Sequence, residues 1–289
     1  MNTKHIKFNN AMMKKLVLCL FVACAFVSCK KNNEKGMGML SLKVSPFEII
    51  LEDMGNGKES LTGKVSRLDV VVFNSSNTIV YEKHQTSTDS NFGTVDSLML
   101  YAGTYQIVVV GHSYTDGVTF TSPYQVAFPA HVTSDIFAKT KSVTIQEGSD
   151  VNIGMSLERV VAGFQLRLLR QGVPDNIQTI DFEFSCGSQT LNPSTGAAVG
   201  DTTTTYTKPR QSNWSTNAGI FNIFPLLNAS TQTMNVAINA KDANGTTHYT
   251  ASFEDLEFSI GKRIVARGEF FEAEGLGSFT ISSSSWVGD

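Results

Sequence analysis

From Leu40 the chain alternates, with Leu40, Leu42 and Val44 apolar and Ser41, Lys43 and Ser45 polar between them. A period of two is the mark of a β-strand with one buried face. Short apolar stretches recur downstream: RLDVVVFN (67–74), NTIVYEKH (77–84), SLMLYAGTYQIVVVGH (97–112), KSVTIQ (141–146) and DVNIGMSL (150–157). After them come AGFQLRLLRQ (162–171), QTIDFEFSC (178–186), TMNVAINAKD (233–242), HYTASFEDLEFSI (248–260) and GSFTISSSSW (277–286). Turn-forming residues punctuate the series at Asn74-Ser75-Ser76-Asn77, Ala102-Gly103, Glu147-Gly148, Asn244-Gly245 and Ile260-Gly261. Strands of this length with turns at this spacing predict an all-β chain built as antiparallel sandwiches. A short helix is expected only at TSDIFAKT (133–140), as a connection.

The strand series restarts near Ser156–Arg159, which predicts one domain over 39–157 and a second over 158–289. Between Gly187 and Gly219 the chain is rich in Ser, Thr, Asn, Gly and Pro, and reads as a long surface loop. Trp214 lies in that loop, where an exposed aromatic ring stacks on a sugar or a partner protein, or else packs half-buried.

The first residues bear on compartment. Lys4, Lys7, Lys14 and Lys15 precede the apolar run Leu16–Val27, and the first acidic residue is Glu34. The run is too short to cross a bilayer, which takes about 20 residues. It ends at Ser28-Cys29 and turns abruptly polar, and so resembles a bacterial lipoprotein signal over residues 1–28. That resemblance implies a diacylated Cys29 as the mature N-terminus, followed by a polar tether over 29–38. Cys24 is a rival site that leaves Ala25-Phe26-Val27 on the mature chain.

Charge and cysteine content narrow the partners. The whole chain holds 23 basic and 26 acidic residues, and the leader removes lysines but no acids. A mature chain this acidic lacks the basic stripe of a nucleic-acid binder. Cys19 and Cys24 leave with the leader and Cys29 carries lipid, so Cys186 stands alone and no internal disulfide is expected. Cys186 continues the alternation of Ile180, Phe182 and Phe184 and should face the core. His84, His112, His131 and His248 are far apart and show no metal-binding spacing, so neither a metal nor another cofactor is expected. Gly111-His112-Ser113 mimics a nucleophile elbow, but Thr115 stands where the second glycine belongs and the residues after it read as turn and strand. No triad or paired carboxylates emerge, so no enzymatic activity is expected.

Four segments together resemble the fimbrillins of Bacteroidetes type V pili and their relatives. VSRLDVVVFN (65–74) looks like the first core strand of that family's N-terminal domain, and AGTYQIVVVGHS (102–113) like a later strand of it. LERVVAGFQLRL (157–168) is similar to the Arg-Val strand that opens the second domain, and FTISSSSWV (279–287) to the last strand. The resemblance implies two Greek-key, transthyretin-like β-sandwich domains, delivery to the outer membrane as a lipoprotein, and assembly with other fimbrial subunits into a surface fibre. It further implies assembly by strand donation. A protease that cuts after Arg or Lys removes the first strand of stalk subunits, and a neighbour's strand fills the groove.

Here the first strand corresponds to GMLSLKVSPFEII, with Leu40, Leu42, Val44 and Phe47 as its candidate core residues. Between it and VSRLDVVVFN the processing candidates are Lys58 and Lys64, and Arg67 is the first arginine of the chain. An arginine-specific protease therefore leaves the strand in place. The expectation is a lipid-anchored fimbrial subunit, anchor-like or accessory, that contributes to adhesion. Its rival is a non-polymerising surface lipoprotein that binds carbohydrate or a host ligand through Trp214.

Overall fold

The computed structural model describes residues 36–45, 65–114, 117–129, 134–169, 172–214, 219–271 and 279–285. Apart from helical backbone at Trp214, every element assigned among them is a β-strand, so the described chain is all-β as its alternation predicts. In chain order the first ten are β1 (Met37–Ser45), β2 (Arg67–Asn74), β3 (Ile79–Thr86), β4 (Thr94–Tyr101), β5 (Gly103–His112), β6 (Thr119–Ser122), β7 (Gln125–Ala127), β8 (Ile136–Ile145), β9 (Asp150–Ser156) and β10 (Glu158–Arg159). The others are β11 (Gly163–Leu168), β12 (Thr179–Phe184), β13 (Thr190–Asn192), β14 (Ala197–Ala198), β15 (Thr204–Pro209), β16 (Ile220–Ile223), β17 (Thr231–Lys241), β18 (Thr247–Ser259), β19 (Lys262–Gly268) and β20 (Phe279–Ser285).

A five-stranded antiparallel sheet, ordered β10-β8-β5-β2-β3, forms the middle of the first half. Its two central strands carry unbroken apolar runs, Val70-Val71-Val72-Phe73 and Ile107-Val108-Val109-Val110, all buried. Such runs mark strands covered on both faces. Leu68, Val70, Val72, Ile107 and Val109 face a three-stranded sheet, β4-β1-β9, across one apolar core. Val71, Phe73, Val108 and Val110 face the opposite way into another core with Phe120, Val126 and Leu191.

That second cover is composite. Hairpin β6-β7 comes from the first half and hairpin β13-β14 from the second, and together they make one sheet, β14-β13-β7-β6. The joint is short: Leu191 pairs with Val126, Thr190 pairs with Ala127, and the Phe128 N–H donates to the Gln189 carbonyl at 2.8 Å. The stretch between Gly187 and Gly219 is therefore no structureless loop, since it contains β13, β14 and β15. Polar composition hid them because few of their residues are apolar. The helix expected at TSDIFAKT is likewise absent from the described part: Ile136 onward is β8, whose Ile136, Phe137 and Ala138 are buried on both sides of the sheet.

The second half places two four-stranded sheets, β16-β11-β19-β20 and β15-β12-β17-β18, around a third core rich in aromatics. Phe164 is its hub, meeting Phe182, Phe184, Phe253 and Phe258 at centroid distances of 6.0–6.4 Å. Cys186 is half-buried at its margin and receives a hydrogen bond from Gln232 Nε2 at 2.9 Å. The ERVV segment sits astride the halves. Glu158 and Arg159 extend the five-stranded sheet beside β8, and the new pair of sheets starts at Gly163. Arg159 is fixed there by a fork onto Asp135 (2.8–3.0 Å) and lies 5.0 Å over the Phe137 ring.

Lys208 shares the inward parity of Thr204 and Tyr206 on β15, and burial pushes its ammonium down to about 8. The folded chain thus resists the charged form. The penalty is complete below about pH 8 and disappears as pH rises toward 10.5, so stability should climb across that window. Lys208→Met should raise stability at neutral pH by about 2 kcal/mol and flatten the climb, read by urea unfolding at a series of pH values.

Candidate functional site

Strand β1 occupies the middle of its sheet, antiparallel to β4 on one side and parallel to β9 on the other; with the parallel pair β11–β19 in the second half, this corrects the expectation of purely antiparallel sheets. Among the described residues neither β4 nor β9 has another partner in that sheet, so removing β1 dissolves the layer instead of trimming an edge. Leu40, Leu42 and Val44 point into the core and are 2–6% exposed, and their burial contributes about 2 kcal/mol each. Below them lie Leu68, Val70, Val72, Ile107, Val109, Phe137 and Ile145, the floor of an apolar groove that β1 fills.

The backbone of β1 is tied at both ends. At its start the Ala102 N–H donates to Gly36 O at 2.7 Å and the Gly148 N–H to Met37 O at 2.8 Å; near its end the Val44 N–H donates to Gly93 O at 2.7 Å. A β-carbon on Gly38 would lie 2.4 Å from the Gln146 carbonyl oxygen and 2.7 Å from Ile145 Cγ2. Only glycine lets β1 pass that close to the β8–β9 turn. A bulge between Leu40 and Leu42 on the β4 side brings Ser97, with φ of 56°, against Ser41, whose Oγ accepts the Ser97 N–H at 3.3 Å. Cys29, Phe47, Lys58 and Lys64 lie outside the described residues. Arg67 opens β2 and pairs with Thr86 and His112 on either side, deep in the five-stranded sheet.

On the other face of the five-stranded sheet lies a polar cluster, buried at Asp69 and His112 and reaching solvent at His84, that the sequence did not announce. Asp69 sits on β2 with its side chain fully buried, pointing away from β1 toward the composite sheet. Its two oxygens accept from His112 Nε2 at 2.7 Å and His84 Nδ1 at 2.5 Å, one from each flanking strand. His112 Nδ1 accepts the Tyr114 N–H at 3.1 Å, and the ring meets Phe128 edge-on. Both nitrogens of His112 are thus committed, and neither is placed to take a proton from Ser113. That serine's Oγ instead accepts the Ser66 N–H at 3.2 Å, so it closes a strand end. Only the register of β3, β2 and β5 brings Asp69, His84 and His112 together, and they show no motif spacing.

The other sequence candidates scatter. Trp214 is 4% exposed and packs edge-on to Phe221 at 5.4 Å inside the aromatic core, so it offers no open stacking face. Of the two placements that its sequence context allows, the ring takes the packed one. His248 meets Asp242 at 2.9 Å beside the β17–β18 turn, and His131 lies outside the described residues. Among the described residues no cluster of three or more His, Cys, Asp or Glu is arranged to hold a metal.

Burial by itself pushes the Asp69 carboxyl up, but the hydrogen bonds from His112 and His84 outweigh it and hold it below the ordinary 3.8. Its stabilisation is therefore complete above that value and drains away as pH falls through the lower folded value. Asp69→Asn turns an amide N–H toward a ring nitrogen and should cost about 3 kcal/mol at neutral pH, while removing this part of the acid unfolding slope. Urea titrations of both proteins from neutral to acid pH read the two effects.

Comparison with known proteins adds a family match. The model for fimbrillin-A associated anchor proteins Mfa1 and Mfa2 matches residues 33–257. No curated protein matches the chain. Among solved structures, a Bacteroides thetaiotaomicron protein described as polysaccharide-binding is 12% identical, with a TM-score of 0.50 over 86% of this chain and 96% of that one. The fimbrial anchor protein Mfa2 from Porphyromonas gingivalis is 13% identical, with a TM-score of 0.48 over 86% and 98%. A fimbrial assembly protein from Parabacteroides distasonis is 10% identical, with a TM-score of 0.41 over 85% and 94%. At these identities the first of the three speaks to fold alone.

Proposed function

The chain belongs to the family of fimbrillin-A associated anchor proteins, and from that premise we propose that it is a lipid-anchored fimbrial subunit which keeps its first strand. Acyl chains on Cys29 hold it to the outer membrane, and other fimbrial subunits are its partners. Its two halves act as tandem Greek-key sandwich domains, 39–157 and 158–289, within one subunit.

The observation that carries this reading is the place of β1. It is paired on both sides and buries Leu40, Leu42 and Val44, and the sequence offers no arginine between it and Arg67 inside β2. A strand so placed closes its own groove. A neighbour's strand then has no vacancy to enter, since each backbone N–H and C=O it would pair with is already taken. The subunit ends or anchors a fibre and contributes to adhesion through what the fibre carries. The sugar-binding alternative loses its named contact with the burial of Trp214.

Intact mass and N-terminal peptide mapping of protein purified from its native membrane test the proposal. The expected chain begins at acylated Cys29 and contains Met37–Ser45. A chain that begins just after Lys58 or Lys64 means strand removal and a polymerising subunit, and it overturns the reading.

A further inference from the structure

The outward face of the three-stranded sheet changes character along its length. At the start of β1, Met37 stands opposite Tyr101 and Met39 opposite Met99. Met37, Met99 and Tyr101 are 41%, 52% and 58% exposed, and cross-strand register makes them one contiguous apolar patch with half-buried Met39. Farther along, the same face presents Ser41, Lys43, Asp96 and Ser97. Single exposed apolar residues are ordinary, but four large ones joined by register, at one end of a face that is otherwise polar, mark a contact surface.

What meets that end is set by the chain before it. Only Lys30–Lys35 separates Cys29 from Gly36, and Gly36 is fastened to Ala102, next to Tyr101. A segment this short reaches no more than about 25 Å when fully extended. Any lipid on Cys29 therefore holds the patch within a few nanometres of the bilayer, at an effective concentration that makes weak apolar contacts count. Methionine adapts to an irregular surface, and tyrosine favours the boundary between apolar and wet. Lys30, Lys31 and Lys35 give the linking segment positive charge, while Asp150 stands beside Met39 on the same outward face and Glu147 lies against Gly36.

Resting on lipid attachment at Cys29 as proposed above, we infer that Met37, Met39, Met99 and Tyr101 dock on the phospholipid surface. The first half then lies against the membrane in a fixed orientation and does not swing on its tether.

The test uses the full-length acylated protein carrying Met99→Cys with Cys186→Ser, labelled with an environment-sensitive fluorophore. It is reconstituted in vesicles of phosphatidylethanolamine and phosphatidylglycerol. Ile79→Cys in the same background, on exposed strand β3, is the reference position. The expected result is blue-shifted emission at position 99 and several-fold quenching by nitroxide-bearing lipid, with neither at position 79. Intact mass reads the acyl chains independently. Acylated protein whose position 99 stays in water overturns docking and leaves the anchor reading standing, whereas protein without acyl chains removes both. A blue shift that needs added fimbrial subunits, without lipid quenching, makes the patch a protein interface and also overturns the inference.

Discussion

A sheet buried on both faces needs two covers, and this one requirement organises the chain. Strands β2 and β5 offer apolar side chains in both directions, so neither face of the five-stranded sheet tolerates water. Covering one face is the work of β4, β1 and β9. Covering the other recruits strands from both halves, because hairpin β6-β7 is narrow and gains width only by adding β13 and β14. The first strand and the composite sheet therefore answer the same hydrophobic demand from opposite sides. The proposed retention of β1 rests on this demand as much as on the absence of an arginine between β1 and β2.

The buried carboxylate belongs to this frame. Asp69 takes the place of an apolar residue on the face that carries Val71 and Phe73, and a lone charge there would be costly. His112 and His84 make it tolerable by supplying a donor to each oxygen from the two strands that flank β2. The arrangement works only in one register, since a slip of one residue turns every side chain to the other face. Asp69 thus fixes alignment in a sheet whose valines would pack acceptably in more than one way.

Much of this was legible in the sequence. Alternation at Leu40, Leu42 and Val44 marked the first strand and its inward face, and the unbroken valines of β2 and β5 marked strands at the centre. Ser113 read correctly as a strand end because Thr115 broke the elbow pattern. Three things were not legible. Strands β13 to β15 lie in a stretch whose Ser and Thr content resembles loop, and what makes them strands is their partners: β7 for β13, and β12 for β15. Trp214 turns inward because Phe221 waits across the core, and one sequence does not reveal that distant neighbour. Asp69, His84 and His112 are separated by 15 and 43 residues along the chain from their partner in each pair, so only strand register unites them.

The orientation of β1 also has a mechanical meaning. Consider tension applied to Met37 along the axis of the strand. Its ladders to β4 and to β9 are then loaded all together, in shear, with rungs on both flanks sharing the force. A strand peeled from one end gives up its rungs one at a time, but a central strand pulled lengthwise must break many at once. The placement that fills the groove also makes the N-terminal end of the fold a strong point from which to hang a load.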